Sequence, residues 1–178
     1  MRVITGSARG MALRTLEGND VRPTTDKVKE ALFSAIQFEI EGRRILDLFA
    51  GSGQLGIEAL SRGAESAVFV DADKNAVKIV KENLAKTKLD FKATVAQTDS
   101  IAFITMTDRI FDIAFLDPPY ETGLLQKVLS KISDNIAEGG MVICEHPFKE
   151  ELAEEYGDLR KSKEYKYSKV AVTVYRKS

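Results

Sequence analysis

The chain has 178 residues, 44% of them hydrophobic, which is the length of one ordinary domain with enough apolar material to bury a sizeable core. No stretch approaches the roughly 18 uninterrupted apolar residues that a membrane span requires, and the Met-Arg-Val-Ile start has neither the apolar run nor the small-residue cleavage site of a secretory signal. A soluble, cytoplasmic protein with no membrane partner is therefore expected. The formal charge of −1 and pI near 6.0 exclude a globally basic nucleic-acid binder, so any such contact has to come from local patches.

In chain order, residues 3–5 and 11–13 flank Gly6-Ser7-Ala8-Arg9-Gly10 and read as a loose hairpin with a basic, glycine-hinged tip. Residues 1–29 carry a charge of +3 against −4 for the remainder. Thr25 and Asp26 offer an N-cap for a helix over residues 27–38, with Val28, Ala31, Leu32, Ala35 and Ile36 as its apolar stripe. From residue 44 to 145, short apolar runs alternate with helical patterns, the signature of βαβ units around a parallel sheet. The strands fall at 45–49, 67–70, 93–95, 111–116 and 141–144, mostly apolar on both faces. Helices fill the connections at 56–62, 74–86, 100–106 and 123–136. Residues 165–167 and 170–175 are too close in sequence to be anything but antiparallel neighbours. The closing segment is basic, and its lysines and arginines read on their own as solvated strand faces. The single cysteine, Cys144, sits in an apolar run and reads as a buried thiol.

The first strand runs into Asp47-Leu48-Phe49-Ala50-Gly51-Ser52-Gly53-Gln54-Leu55-Gly56, a G-x-G-x-x-G turn. Asp71 ends the second strand 20 residues beyond Gly51, where a carboxylate can accept from ribose hydroxyls. Loop and acid together fit NAD as well as S-adenosylmethionine. Asp47 favours the latter, because a carboxylate beside the turn repels a pyrophosphate and attracts an ammonium or sulfonium. Asp99 follows the third strand, where this fold reaches an adenine; it is also a good N-cap for the helix beginning at Ser100, and the two roles are compatible.

The fourth strand stops at Asp117-Pro118-Pro119-Tyr120. Two prolines remove two backbone donors and stiffen the turn, leaving the Asp117 side chain and the Pro118 carbonyl as fixed acceptors. An exocyclic base amine is a poor nucleophile because its lone pair is conjugated into the ring. Two acceptors holding its hydrogens favour the geometry in which that pair points at a methyl donor, and the carboxylate stabilises the positive charge that develops on nitrogen. Tyr120 adds a flat face on which an extruded base can stack.

With these motifs in place, the sequence resembles the RsmD family of small-subunit (16S) ribosomal RNA guanine-N2 methyltransferases. The resemblance rests on Arg22-Pro23-Thr24-Thr25-Asp26 with the helix block that follows, on the loop from Asp47 to Gly56 and on Asp117 to Tyr120, and it extends over nearly the whole chain. It implies an α/β, Rossmann-like class I S-adenosylmethionine methyltransferase: a seven-stranded, mostly parallel sheet with an antiparallel C-terminal strand and a small N-terminal β-hairpin extension. The whole would be one domain, with residues 1–22 as the extension and 23–178 as the catalytic core. The implied donor is S-adenosylmethionine, and the implied substrate is one guanine of small-subunit rRNA within an assembling 30S particle, with the protein acting as a monomer.

The same resemblance assigns Asp47, Gly51 and Gly53 to the methionine end of the cofactor, Asp71 to its ribose and Asp99 to its adenine, with Phe49, Ala50 and Ser100 completing the set. Asp117, Pro118, Pro119 and Tyr120 would hold the base. Arg9 and Arg14 on the hairpin are candidate RNA contacts; Arg22 and Thr24 are either RNA or cofactor contacts or simply the entry to the helix. The sequence departs from the family's pattern at Asp71-Ala72-Asp73, which is more acidic than expected after the second strand. His146, the only histidine, reads as a packing residue, and no metal ligand set is present. Rival readings are an adenine-N6, DNA or protein-glutamine amino methyltransferase, and a ribosome-assembly factor that binds RNA without catalysis.

Overall fold

The structure, a computed structural model, describes residues 1–16 and 23–178; Arg22 lies outside the described residues, as does the side chain of Thr24. One mixed sheet organises the chain. Its strands are β1 (Arg44–Asp47), β2 (Ser66–Asp71), β3 (Ala93–Gln97), β4 (Phe111–Leu116), β5 (Ile136–Pro147), β6 (Glu155–Tyr156), β7 (Leu159–Tyr167) and β8 (Val170–Lys177), in the order β3-β2-β1-β4-β5-β8-β7-β6. β1 to β5 are parallel, and β8 runs antiparallel between β5 and β7. The sheet thus has the seven expected strands and an eighth, the two-residue β6 at its edge.

The helices α1 (Pro23–Ala35), α2 (Gln54–Ser61), α3 (Lys74–Thr87), α4 (Ser100–Met106) and α5 (Leu124–Leu129) cover both faces. On one face Leu32 and Phe33 of α1, Ile36 just beyond its end, Ile57 and Leu60 of α2 and Val80 and Leu84 of α3 pack over Ile45, Phe115, Ile143 and Val172. On the other, Ile104 of α4 and Leu125, Val128 and Leu129 of α5 pack over Leu46, Val68, Leu116 and Val142. Side chains that alternate along each strand thus feed two cores, which is why the strands read as continuously apolar. Phe33 is completely buried, its ring 5.6 Å from that of Phe115. It takes the place expected for Ala35, which is exposed.

Three expectations need correction. α1 starts at Pro23, so Thr25 and Asp26 fall in its first turn rather than at its cap; proline suits a first helical position because its missing N–H has no helical partner to lose. The expected helix over 123–136 ends at Leu129 and gives way to a 3-10 turn, Ile132–Asn135. There the buried Asn135 donates to the Thr107 and Arg109 carbonyls, and Ile136 is already paired with Phe111. The N-terminal extension reverses direction as predicted but makes one antiparallel bridge, Arg2 with Ala12, rather than a strand pair. Val3, Gly10 and Leu13 N–H groups donate across the arm to the Met11, Val3 and Met1 carbonyls, and other donors go to α2. Ile4 and Thr5 donate their N–H groups to the Glu58 carboxylate at 2.8 and 3.0 Å, and Ala8 donates to the Ser61 hydroxyl at 3.0 Å.

That docking creates a buried polar node behind α2. Glu58 is wholly buried and also takes Arg62 Nε at 2.9 Å and Lys29 Nζ at 3.2 Å, while Lys29 donates to the Arg2 carbonyl. Burial lowers the Lys29 pKa, an effect that Glu58 opposes.

Candidate active site

The sheet order reverses direction at β1 and β4, whose connections leave toward opposite sides; in open α/β sheets this leaves a crevice outside the carboxyl ends of the strands. A cavity of about 710 Å³ lies there. Its floor is the loop after β1, pinned by Leu48 N–H donating to the Phe115 carbonyl and by Ala50 N–H donating to the Val70 carbonyl. Gly51 turns the loop at φ +56°, with open space where a Cβ would stand, so a ligand can approach its backbone. Gly56 serves packing instead: a Cβ there would lie 2.3 Å from the Phe69 ring, so only glycine lets α2 rest on β2.

Of the expected cofactor residues, Phe49, Ala50, Gly51, Asp71, Asp99 and Ser100 line the cavity, while Asp47 and Gly53 do not. Asp47 sits behind the loop, its Oδ2 accepting from Gly56 N–H at 3.0 Å. Burial pushes its pKa up to about 7, against the pull of that N–H, and the nearby Asp71 pushes the same way. Asp71 accepts from Gly51 N–H at 2.9 Å and from Asp73 N–H at 2.9 Å, so one carboxylate fixes the turn and also faces the cavity. The unusual Asp73 has a structural explanation, because it caps α3 by accepting from Asn75 N–H. Asp99 combines two positions as anticipated: it caps α4 through Ala102 N–H and lines the cavity.

Asp117 to Tyr120 line the cavity beside the glycine loop. β4 pairs with β1 through Phe115 and Asp47 and with β5 through Leu116 and Cys144, so the tetrapeptide lies between the glycine loop and the end of β5. Glu145, the next residue of β5, also lines the cavity, and its Oε1 accepts from the Tyr120 hydroxyl at 3.4 Å. His146 is buried and turned away: Nδ1 is 2.9 Å from the Pro147 carbonyl, which can only accept, and Nε2 is 2.8 Å from the Thr173 hydroxyl. Cys144 is fully buried, which raises its thiol pKa well above the usual range.

The chemistry of the wall discriminates between ligands. Asp71, Asp99, Asp117 and Glu145 line it, with no Lys, Arg or His among the described residues. A pyrophosphate would meet four carboxylates and, among the described lining residues, no Lys, Arg or His, whereas a cationic ligand meets complementary charge. Gln54 adds a buried Oε1 with no hydrogen-bond partner, an acceptor suited to an ammonium donor. Neither Gln54 nor Glu145 was assigned a site role from sequence. Gln54 was hidden as an ordinary helix-entry residue, and Glu145 stood in the shadow of its histidine neighbour, although its place at a strand end was the available signal.

The arm before residue 17 contributes Met1, Thr15 and Leu16 to the cavity, another contribution that sequence reasoning missed. Asn83 of α3 ties it down. Its Oδ1 accepts from Arg14 N–H, and its Nδ2 donates to the Arg14 carbonyl and to the Ser52 carbonyl of the glycine loop. Arg14 pairs with Glu82 on the surface. Arg9 is exposed beside Ser61 at the far end of α2, roughly 11 Å of helix away from the loop. The structure therefore places Arg14 near the cavity and Arg9 well away from it.

The family model described as "Conserved hypothetical protein 95" matches residues 1–176. YlbH of Bacillus subtilis (strain 168), provisionally named an rRNA methyltransferase, is 42% identical over 99% of both chains. Ribosomal RNA small subunit methyltransferase D of Escherichia coli (strain K12) is 37% identical over 76% of this chain and 68% of its own. The chain belongs to this RsmD family. Among solved structures, the E. coli protein yhhF, provisionally a methyltransferase, superposes with a TM-score of 0.88 at 31% identity over 100% of this chain and 98% of its own. The fold extends beyond RsmD proteins: the Thermus thermophilus 16S rRNA N2 G1207 methyltransferase RsmC, solved with AdoMet and guanosine, shares it at a TM-score of 0.74 and 23% identity over 92% of this chain and 45% of its own.

Proposed function

We propose that this protein, a single domain acting as a monomer, methylates the exocyclic N2 of a guanine in small-subunit rRNA within an assembling 30S particle, with S-adenosylmethionine as donor. The observation that carries the reading is the acid-walled cavity at the sheet's switch point, lined by the glycine loop and by Asp117-Pro118-Pro119-Tyr120 beside it. The family's curated relatives, named for rRNA of the small subunit, give the substrate class.

When bound, S-adenosylmethionine supplies a methyl group on a positively charged sulfonium. Asp71 and Asp99 are the acceptors for its ribose and adenine, Gly51 gives close backbone approach, and Gln54 Oε1 is an acceptor for its amino group. Asp117 and the Pro118 carbonyl orient the base amine and stabilise its developing positive charge, and Tyr120 offers a stacking face. After transfer the extra proton on the amine passes to water. No other proton acceptor is required, in keeping with a His146 engaged in packing.

The decisive experiment incubates the purified protein with labelled S-adenosylmethionine and small ribosomal particles from a strain lacking the enzyme, then identifies the methylated nucleoside by mass spectrometry. N2-methylguanosine is the expected product. N6-methyladenosine would overturn the choice of base, label on DNA would overturn the substrate, and no label would favour a binding-only assembly factor.

A further inference from the structure

Asp117 and the Pro118 carbonyl explain how an amine is held, but they do not choose between bases, since the N2 of guanine and the N6 of adenine present the same two hydrogens. The difference lies on the adjacent ring atom. Guanine carries a donor there, N1–H, next to its amine, whereas adenine carries a bare N1 acceptor. A site that selects guanine needs an acceptor beside the amine-holding turn, and an acceptor in that place also rejects adenine by setting two lone pairs against each other.

Glu145 stands at that position. Leu116 of β4 and Cys144 of β5 are register partners in parallel strands, so Asp117 and Glu145 are the next residues along at neighbouring strand ends. Both line the same cavity, and the Glu145 carboxylate meets the hydroxyl of Tyr120, the side chain that supplies the stacking face. A carboxylate offers about four lone-pair sites, so it can hold protein partners and a substrate donor together. The half-buried setting strengthens a hydrogen bond to the substrate, and rotation of the side chain is limited by the tyrosine.

We infer that Glu145 is the residue that reads the base, accepting the N1–H of the target guanine while Asp117 and Pro118 hold its N2 amine. The inference rests on the guanine reading proposed above and adds its specificity determinant. Tyr120 is then a positioning residue for Glu145 as well as a stacking surface.

The test uses 2-aminopurine, which keeps the N2 amine of guanine and lacks N1–H. Small-subunit particles are reconstituted on rRNA carrying guanine or 2-aminopurine at the methylated position, and kcat/KM is measured for the wild-type protein, Glu145→Leu and Tyr120→Phe, with S-adenosylmethionine affinity measured by calorimetry in each. The wild type should prefer guanine by about 10-fold or more. Glu145→Leu, which removes the acceptor, should bring that ratio near one by losing activity on guanine alone, with cofactor affinity unchanged, whereas Tyr120→Phe should lower both activities. An undiminished preference in Glu145→Leu or equal losses on both bases would each overturn the assignment. Failure of the guanine reading itself is separately visible, as the absence of N2-methylguanosine from unsubstituted particles.

Discussion

The two ends of α2 treat carboxylates in opposite ways. At the far end, Glu58 is sealed from solvent and spends its oxygens on Ile4, Thr5, Lys29 and Arg62, all of them structural partners. At the near end, Asp71 and Asp99 give some of their capacity to backbone N–H groups and still face a cavity. The first arrangement holds the fold together, and the second builds a site from groups whose acceptor capacity exceeds their structural duties. Burial and charge alone do not separate the two; what separates them is whether cationic partners from the protein are present.

By that contrast, the largest effect on chemistry comes from the open end. Asp117→Ala should reduce methyl transfer by about 10²–10³-fold while leaving S-adenosylmethionine affinity within a few-fold, read by label incorporation beside calorimetry. Unchanged transfer would remove Asp117 from the reaction. The largest effect on stability comes from the closed end. Glu58→Gln strands the buried Lys29 ammonium and should cost about 3 kcal/mol, a fall in Tm of roughly 10 °C, with activity at low temperature largely retained.

Asp47 lies between these extremes, buried like Glu58 but beside the site. Its folded pKa of about 7 lies above the ordinary carboxylate value, so the folded state holds a proton that the unfolded state has lost. Its contribution to stability is therefore full below about pH 4 and disappears as pH rises through about 7, a change on the order of 2–4 kcal/mol. Asp47→Asn should abolish that slope in denaturant titrations between pH 5 and 8 while keeping an acceptor for Gly56. Glu39 and Asp112 titrate in a separate window, because Arg176 and Arg44 lower their pKa values; their stabilisation is lost only as pH falls below the usual carboxylate range.

The smallest effect should follow from reversing Arg9 and Arg14 to Glu. RNA binding should weaken and lose part of its salt dependence with cofactor affinity unchanged, and Arg14, held near the cavity by Asn83, should contribute more than Arg9. Equal loss of RNA and cofactor affinity would mean that the arm acts by supporting the glycine loop.

Local signals were legible in sequence wherever one short segment carried the whole message. β4 and α4 fall on their anticipated boundaries, because an apolar run ends at a proline turn in one and a capping aspartate begins the other. The loop, Asp71, Asp99 and the tetrapeptide, which the structure brings around one cavity, stood out in the sequence for the same reason. What escaped depended on distant partners. Asn83 looks like a helix-surface residue until Arg14 and Ser52 arrive from elsewhere. Phe33 displaced Ala35 from the core because Phe115 supplied its neighbour, and Asp47 left the cavity wall because the first helical N–H groups behind the loop needed an acceptor.

The acidic wall also acts as a filter on the polymer that brings the target. A phosphodiester entering the cavity would approach Asp71, Asp99, Asp117 and Glu145 with no Lys, Arg or His lining the wall among the described residues to offset them. A neutral base entering edge-on meets no such repulsion. On the function proposed above, base-first entry with the backbone at the rim is the approach that avoids this repulsion, so charge as well as shape limits how deep RNA penetrates.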